Sequence, residues 1–286
     1  MLIQIRHLTR YLYQEPAAYS VQSLRLRPPS FVGQRVREWT LTTSAPAPGT
    51  QFTDGFGNLV ELVAINQPHA ELVIEASGLV ETEDRSGVVA GVFNATPVRV
   101  YLKRTPQTMP DAAISELASA IKEKDTLPRM HALAEVIRDK VEYKTGMTDV
   151  HTSAAEALKE GHGVCQDHAH IFIAAARELG VPARYVTGYL VAEEEEPAQA
   201  HHAWAEVWIE GLGWVGFDVA NSICPTDRYV RLSTGLDAAT AAPIMGARRG
   251  GGEETLTVSV DAHEVKPDGQ RQSQSQAQGT QSQTQG

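Results

Sequence analysis

One cysteine, a group of histidines and one acid carry the reactive chemistry of this 286-residue sequence. Cys165 stands where a helical run begins, just after the breaker Gly161-His162-Gly163. At a first helical turn, unpaired backbone N–H groups and the positive end of the macrodipole stabilise a thiolate. Activated thiols have pKa values of about 3.5 to 7.5, against about 8.5 for a free cysteine, and part of that shift needs a nearby imidazolium. Without a histidine partner, a cysteine at a helix start is a small buried residue. With one, it is a nucleophile for a carbonyl carbon.

Ten histidines compete for that role, and His162, His168, His170, His201 and His202 fall in or near the segments around Cys165. Strand parity selects among them. In the run from His202 to Ile209, the residues Ala203, Ala205, Val207 and Ile209 form one apolar face. His202, Trp204, Glu206 and Trp208 therefore face the other way, towards a cleft. Asp218 ends the next strand, at an even separation from His202, so both side chains can share a face. Direct opposition requires a hairpin centred at residue 210, whereas Gly211-Leu212-Gly213 centres it near Leu212, so a bulge or uneven turn is expected to shift the pairing. Asp218 would then orient one ring nitrogen of His202 and leave the other for Cys165.

Glu206 and Asp167 read as a solvated strand residue and a helix first-turn acid. The backbone N–H of Cys165 is the natural oxyanion donor, with Gln166, Tyr143 or Trp204 as candidates for a second donor and for substrate binding. Cys224 reads as structural.

These residues need a scaffold, and the pattern supplies one. Residues 2 to 14 alternate apolar and polar, and further strands are expected at Val21 to Leu26, Arg35 to Thr43, Leu59 to Ile65 and Glu71 to Leu79. Turn signals at Pro28-Pro29, Pro46 to Gly49 and Asp54 to Asn58 separate them. Residues 1 to 100 thus read as an antiparallel β domain, a sandwich. From Pro110 the period becomes about 3.6, with Ile114, Leu117, Ala118 and Ile121 on one helix face and Leu133, Val136, Ile137 and Val141 on a second. Thr152 or Ser153 caps a short helix over Ala154 to Leu158. The helix from Cys165 to Leu179 stops at Gly180 and Pro182. Strands follow at Ala183 to Val191, His202 to Ile209, Trp214 to Phe217 and Thr255 to Val260, with Glu193 to Glu196 as a solvated acidic loop. Residues 101 to 265 read as an α+β core, and the Gln/Ser/Gly-rich stretch 266 to 286 as a disordered tail.

Composition excludes some roles. The balance of 25 basic against 35 acidic residues, a net charge of −10, disfavours nucleic-acid backbones. No stretch approaches 18 apolar residues, so no membrane span is expected. The start, interrupted by Arg6, His7 and Arg10, does not read as a signal peptide, and the cytoplasm is the expected compartment. Two cysteines are too few for a disulfide framework.

Three motifs in order, Gly163-Val-Cys165-Gln-Asp-His-Ala-His170, His202-Ala-Trp-Ala-Glu-Val-Trp208 and Gly213-Trp-Val-Gly-Phe-Asp218, resemble the core of bacterial transglutaminase-like proteins. The front resembles that family's N-terminal β domain through His7-Leu-Thr-Arg-Tyr11-Leu-Tyr13, Leu24-Arg-Leu26-Arg-Pro28 and Asp54-Gly-Phe-Gly-Asn58. The resemblance covers residues 1 to about 235. It implies a papain-like α+β core with Cys165 as nucleophile, His202 as base and Asp218 as orienting acid, without metal or organic cofactor. Val219-Ala220 replaces a frequent Pro-Thr, and His168 a frequent aromatic.

The expected activity is acyl transfer through a thioester on a protein or peptide substrate, hydrolysis by a cysteine peptidase or amidase being favoured over cross-linking transamidation. Two other readings compete. His162, Cys165, His168 and His170 with His201-His202 could bind zinc, although His168 and His170 lie on different helix faces. Alternatively the scaffold is a non-catalytic binding protein.

Overall fold

The computed structural model describes residues 1–44, 49–93, 96–191 and 201–265. The acidic loop Glu193 to Glu196, residues 46 to 48 of one turn signal, and the tail 266 to 286 lie outside the described residues.

The first sheet begins with β1 (Leu2–Leu24), β2 (Gln34–Thr43), β3 (Thr50–Thr53), β4 (Leu59–Ile65) and β5 (His69–Thr82). The second begins with β6 (Val88–Val89). The helical layer is α1 (Ala112–Ala120), α2 (Thr126–Lys140), β7 (Glu142–Tyr143), α3 (Ala154–Glu160), β8 (His162–Gly163) and α4 (Cys165–Glu178). Then come β9 (Ala183–Leu190), β10 (His201–Ile209), β11 (Gly213–Phe217), β12 (Tyr229–Gly235), β13 (Ile244–Gly250) and β14 (Glu254–Glu264).

The two strands expected over residues 2 to 26 are one strand of 23 residues. Pro16 does not break it because it falls between the paired stretches, where its missing N–H costs no ladder bond. The register with β5 shifts between Leu12 and Ala17, and that with β13 between Ala17 and Tyr19. Residues 2–12 of β1 lie between β5 and β14, and residues 20–24 between β4 and β13. The β layer is therefore one continuous seven-stranded sheet, ordered β2-β5-β1-β4-β3 with β13 and β14 also on β1, where a self-contained sandwich was expected. Its apolar face is completed from elsewhere in the chain. Ile3, Ile5, Leu72 and Ile74 pack with Tyr189, Val230 and Leu232 of the second sheet. The C-terminal strand, expected with the core, pairs with β1 instead and takes Ala262 into this same cluster.

The second sheet runs β12-β9-β10-β11-β6. Its other face carries Ala203, Ala205, Val207 and Ile209 against Ile171, Phe172 and Ala175 of α4, Ile114 of α1 and Leu133 and Ile137 of α2. Burying one Ile or Leu side chain contributes roughly 1.5–3 kcal/mol, so this face fixes the height of α4 on β10. Two side-chain amides tie the sheets together. Asn58 donates to the Thr234 carbonyl at 2.8 Å and accepts from its N–H at 2.8 Å, and Gln34 does the same with Arg231 at 2.9 and 2.7 Å.

Candidate active site

Cys165 is the first residue of α4, half-buried, with Val164 in the cap position. The turn that presents it is held from within: Asp167 accepts from the Val164 N–H at 2.8 Å and from the Thr148 hydroxyl at 2.7 Å. Gly163 makes this possible, since a Cβ there would stand 2.6 Å from that of Asp167. Asp167 is thus the first-turn acid expected. Burial, opposed by those hydrogen bonds, leaves its pKa above the ordinary carboxylate value.

Strand β10 pairs with β11 in unbroken register from Ala205↔Phe217 to Ile209↔Gly213, centring the hairpin on Gly211. Asp218 therefore falls level with Trp204, and His202 lies two positions further along the same face. The bulge expected from the sequence is not needed, because a diagonal pair two residues apart is within reach of long side chains. The Nε2 of His202 is 2.6 Å from Oδ2 of buried Asp218. Its Nδ1 is left for Cys165, with which the ring is also hydrogen-bonded. Burial pulls the imidazole pKa down, but the bonds to Asp218 and Cys165 and their charges outweigh it and push it up to about 10. The ring is an imidazolium at neutral pH.

Asp218 is held by residues that sequence reasoning missed. Its Oδ2 also accepts from the Tyr229 hydroxyl at 2.7 Å and the Asn221 amide at 2.8 Å, and Oδ1 from the Asn221 N–H at 3.2 Å. Despite burial, the hydrogen bond and charge of His202, aided by these donors, keep the carboxyl below its ordinary pKa. Trp204 lies under this group, its ring 6.5 Å from that of His202 and 5.5 Å from that of Tyr229. Gly188 admits it, since a Cβ there would come within 2.7 Å of the indole.

The remaining candidates are scattered around this centre. Trp204 is buried. Tyr143, on β7 and partly exposed, stacks on the His168 ring at 6.1 Å. Gln166 is on the same turn as Cys165, its amide 3.4 Å from the Asp149 carbonyl. Glu206 is not solvated: it is fully buried between the guanidinium groups of Arg184 and Arg231, at 2.6 and 3.0 Å. The alternation of Tyr229 and Arg231 on β12 is the signal that could have placed both on this face. Cys224 is a free thiol, and burial raises its pKa.

Two histidines of the zinc reading have other partners. His168 places Nδ1 2.9 Å from the Val164 carbonyl and Nε2 3.0 Å from that of Val141, and His170 Nε2 accepts from the Ala238 N–H at 3.0 Å.

The fold agrees with known proteins. Residues 3–81 match the bacterial transglutaminase-like N-terminal region, and residues 115–219 the transglutaminase-like superfamily core. The chain belongs to the bacterial transglutaminase-like family. Its relatives include an uncharacterised protein of Mycobacterium tuberculosis, 30% identical over 291 residues and covering 90% of this chain and 91% of that one. Another, from Mycobacterium leprae, is 29% identical over 273 residues, covering 91% and 97%. Among solved structures, a candidate cysteine protease from Cytophaga hutchinsonii superposes with a TM-score of 0.73 at 25% identity, over 94% of this chain and 92% of that one.

Proposed function

We propose that this protein is a cysteine peptidase or amidase that cleaves peptide or isopeptide amides through an acyl-thioester. The observation that carries the reading is the buried His202–Asp218 bond of 2.6 Å, whose imidazole also bonds Cys165 at the start of α4. An imidazolium beside a thiol stabilises the thiolate and holds the proton the leaving group needs.

In this mechanism the Cys165 sulfur attacks the amide carbon, and the oxyanion faces the Cys165 N–H. Gln166, on the same turn, is the second donor we favour. Trp204 serves as the floor beneath His202, and exposed Tyr143 as a wall for substrate. His202 gives its proton to the departing amine as the C–N bond breaks. It then takes a proton from water as the water oxygen attacks the thioester, releasing the acid and regenerating the thiolate–imidazolium pair. No step calls for a metal or organic cofactor.

Hydrolysis is preferred to transamidation because water reaches a thioester unless the site excludes it. The similarity to the Cytophaga hutchinsonii protein supports the same choice. Two free thiols suit a reducing compartment, and the cytoplasm is the one we assign. Among the described residues, no helix is long and apolar enough to cross a membrane.

The test is alkylation by iodoacetamide across pH 5 to 9, with the modified cysteine located by mass spectrometry. Rapid reaction of Cys165 below pH 7, lost in His202→Ala, is expected. Slow and equal reaction of Cys165 and Cys224 would leave a non-catalytic binding role as the better reading. A fluorogenic peptide library, run with and without a primary-amine acceptor, separates hydrolysis from transamidation.

A further inference from the structure

Sheets of soluble proteins blunt their free edges with charge, irregularity or shortness. Here β2 carries Arg35, Arg37 and Glu38, and its register shifts between Val36 and Glu38. Strand β3 has four residues, and β13 bears Arg248 and Arg249. In the second sheet, β12 is buried throughout and β6 has two residues. Strand β14 has none of these protections. It is 11 residues long and, among the described residues, pairs with β1 alone. Its centre, Thr255-Leu-Thr-Val-Ser-Val260, holds no charge, proline or glycine, and Leu256 and Val258 are 52% and 51% exposed.

The ladder with β1 shows which backbone groups are left over. The Glu253 carbonyl accepts from the Gln14 N–H at 3.0 Å, and the Val265 N–H donates to the Leu2 carbonyl at 2.7 Å. The odd-numbered residues between them therefore turn their backbone groups towards β1. Those of Glu254, Leu256, Val258, Val260 and Ala262 point off the edge. The side chains of the same residues share the core-side face. There the apolar cluster between the sheets takes in Ala262 and part of Val260 but leaves Leu256 and Val258 bare.

We propose that β14 is a dimer interface, pairing antiparallel with β14 of a second copy of this chain about a two-fold axis normal to the sheet at Val258. Such an axis keeps each face of the sheet continuous, so residues of equal parity meet. Charge selects the register. Centred on Val258, the pairing sets Leu256 against Val260 of the second copy, Ser259 against Thr257, Asp261 against Thr255, and the His263 ring against the Glu253 carboxylate. No like charges oppose each other. Centred on Thr257 it would set Glu253 against Asp261, and centred on Ser259 it would set Glu254 against Glu264, each unfavourable. The Val258 register forms about ten backbone hydrogen bonds, the number typical of a stable interface. It also lays the bare end of each strand beside the covered end of the other, joining the two apolar clusters. This self-complementarity is why the partner is a second copy. The pairing consumes the edge and stops at a dimer. It stands whether or not the protein cleaves amides.

Sedimentation equilibrium of the full chain tests it, in a reducing buffer that takes both thiols out of play. A reversible monomer–dimer equilibrium is expected, with no larger species. Val258→Lys and Val258→Glu alter a half-exposed position and should stay folded by circular dichroism. Each alone should weaken self-association about tenfold or more, because two like charges meet on the axis. Mixed in equal amounts they should form a dimer again, since Val258 faces its own counterpart in this register. Val258→Pro removes an N–H that points away from β1, so the ladder with β1 survives and the dimer is lost. A wild type that stays monomeric up to submillimolar concentration would overturn the proposal. So would association undiminished in Val258→Lys and Val258→Glu, or an equal mixture of the two that stays monomeric.

Discussion

His202 and Asp218 meet on a diagonal across β10 and β11, two register positions apart, with Nε2 2.6 Å from Oδ2. The bond fixes which ring nitrogen faces Cys165, so under the proposed function its removal should damage catalysis more than folding. Asp218→Asn is expected to lower kcat about 10²- to 10⁴-fold, the range over which a general base and its orientation act. Steady-state hydrolysis, and the rate of Cys165 alkylation, check it.

Tyr229 acts on the same carboxylate from β12. Tyr229→Phe removes a donor to a charged acceptor, worth about 1.5–3 kcal/mol in general. The expected result is a fall in kcat of about tenfold or more, with a shift in the pH–rate profile. An unshifted profile with normal kcat would reduce the residue to packing against Trp204.

Stability should depend on pH through His202. The ordinary imidazole value of 6.5 rises to about 10 in the folded protein. Its charged form therefore stabilises the fold fully below pH 6.5, and that contribution is lost as pH climbs through 10. Urea unfolding at several pH values should show wild type losing stability relative to His202→Gln between pH 6.5 and 10. A constant difference across that range would contradict the raised value.

Glu206→Gln should be among the most damaging changes away from Cys165, His202 and Asp218. It leaves two buried guanidinium groups without their shared carboxylate, and breaking such a cluster costs about 3–5 kcal/mol. The denaturation midpoint measures it. A loss below about 1 kcal/mol would mean that solvent reaches Arg184 and Arg231 after the change.

Gly188→Ala tests the packing under the imidazole. The added Cβ would stand 2.2 Å from the Val230 carbonyl and 2.7 Å from the Trp204 ring. Overpacking of this kind costs about 1–3 kcal/mol, and here it would also displace the floor beneath His202. A lower melting temperature with a lower kcat is expected.

Local pattern revealed most of what holds the site in its own neighbourhood. The Gly-rich break before Cys165, the stop at Gly180 and the apolar alternation of β10 are short-range signals, and α4 and the His202 face follow from them. What the sequence hid lies on strands joined through long connections. Tyr229 reaches Asp218 only because β12 crosses back to lie beside β9, and no residue near Asp218 announces that crossover. Glu206 looked solvated for the same reason, its arginines being on the adjacent β9 and on β12 beyond it. The hairpin centre was misplaced by one residue, since two glycines mark a turn without fixing its register.

The pairing of β1 with β14, from Ile3↔Glu264 to Tyr13↔Glu254, has a bearing on biosynthesis. The opening strand waits for residue 264 before its second edge is covered, so a ribosome-bound chain already carrying Cys165, His202 and Asp218 still exposes an unpaired β edge. Closing so long a loop is slow relative to local helix formation. The nascent chain is open to wrong strand pairing until synthesis has passed the last strand, and shortening this protein from its C-terminal side would make that vulnerable interval permanent.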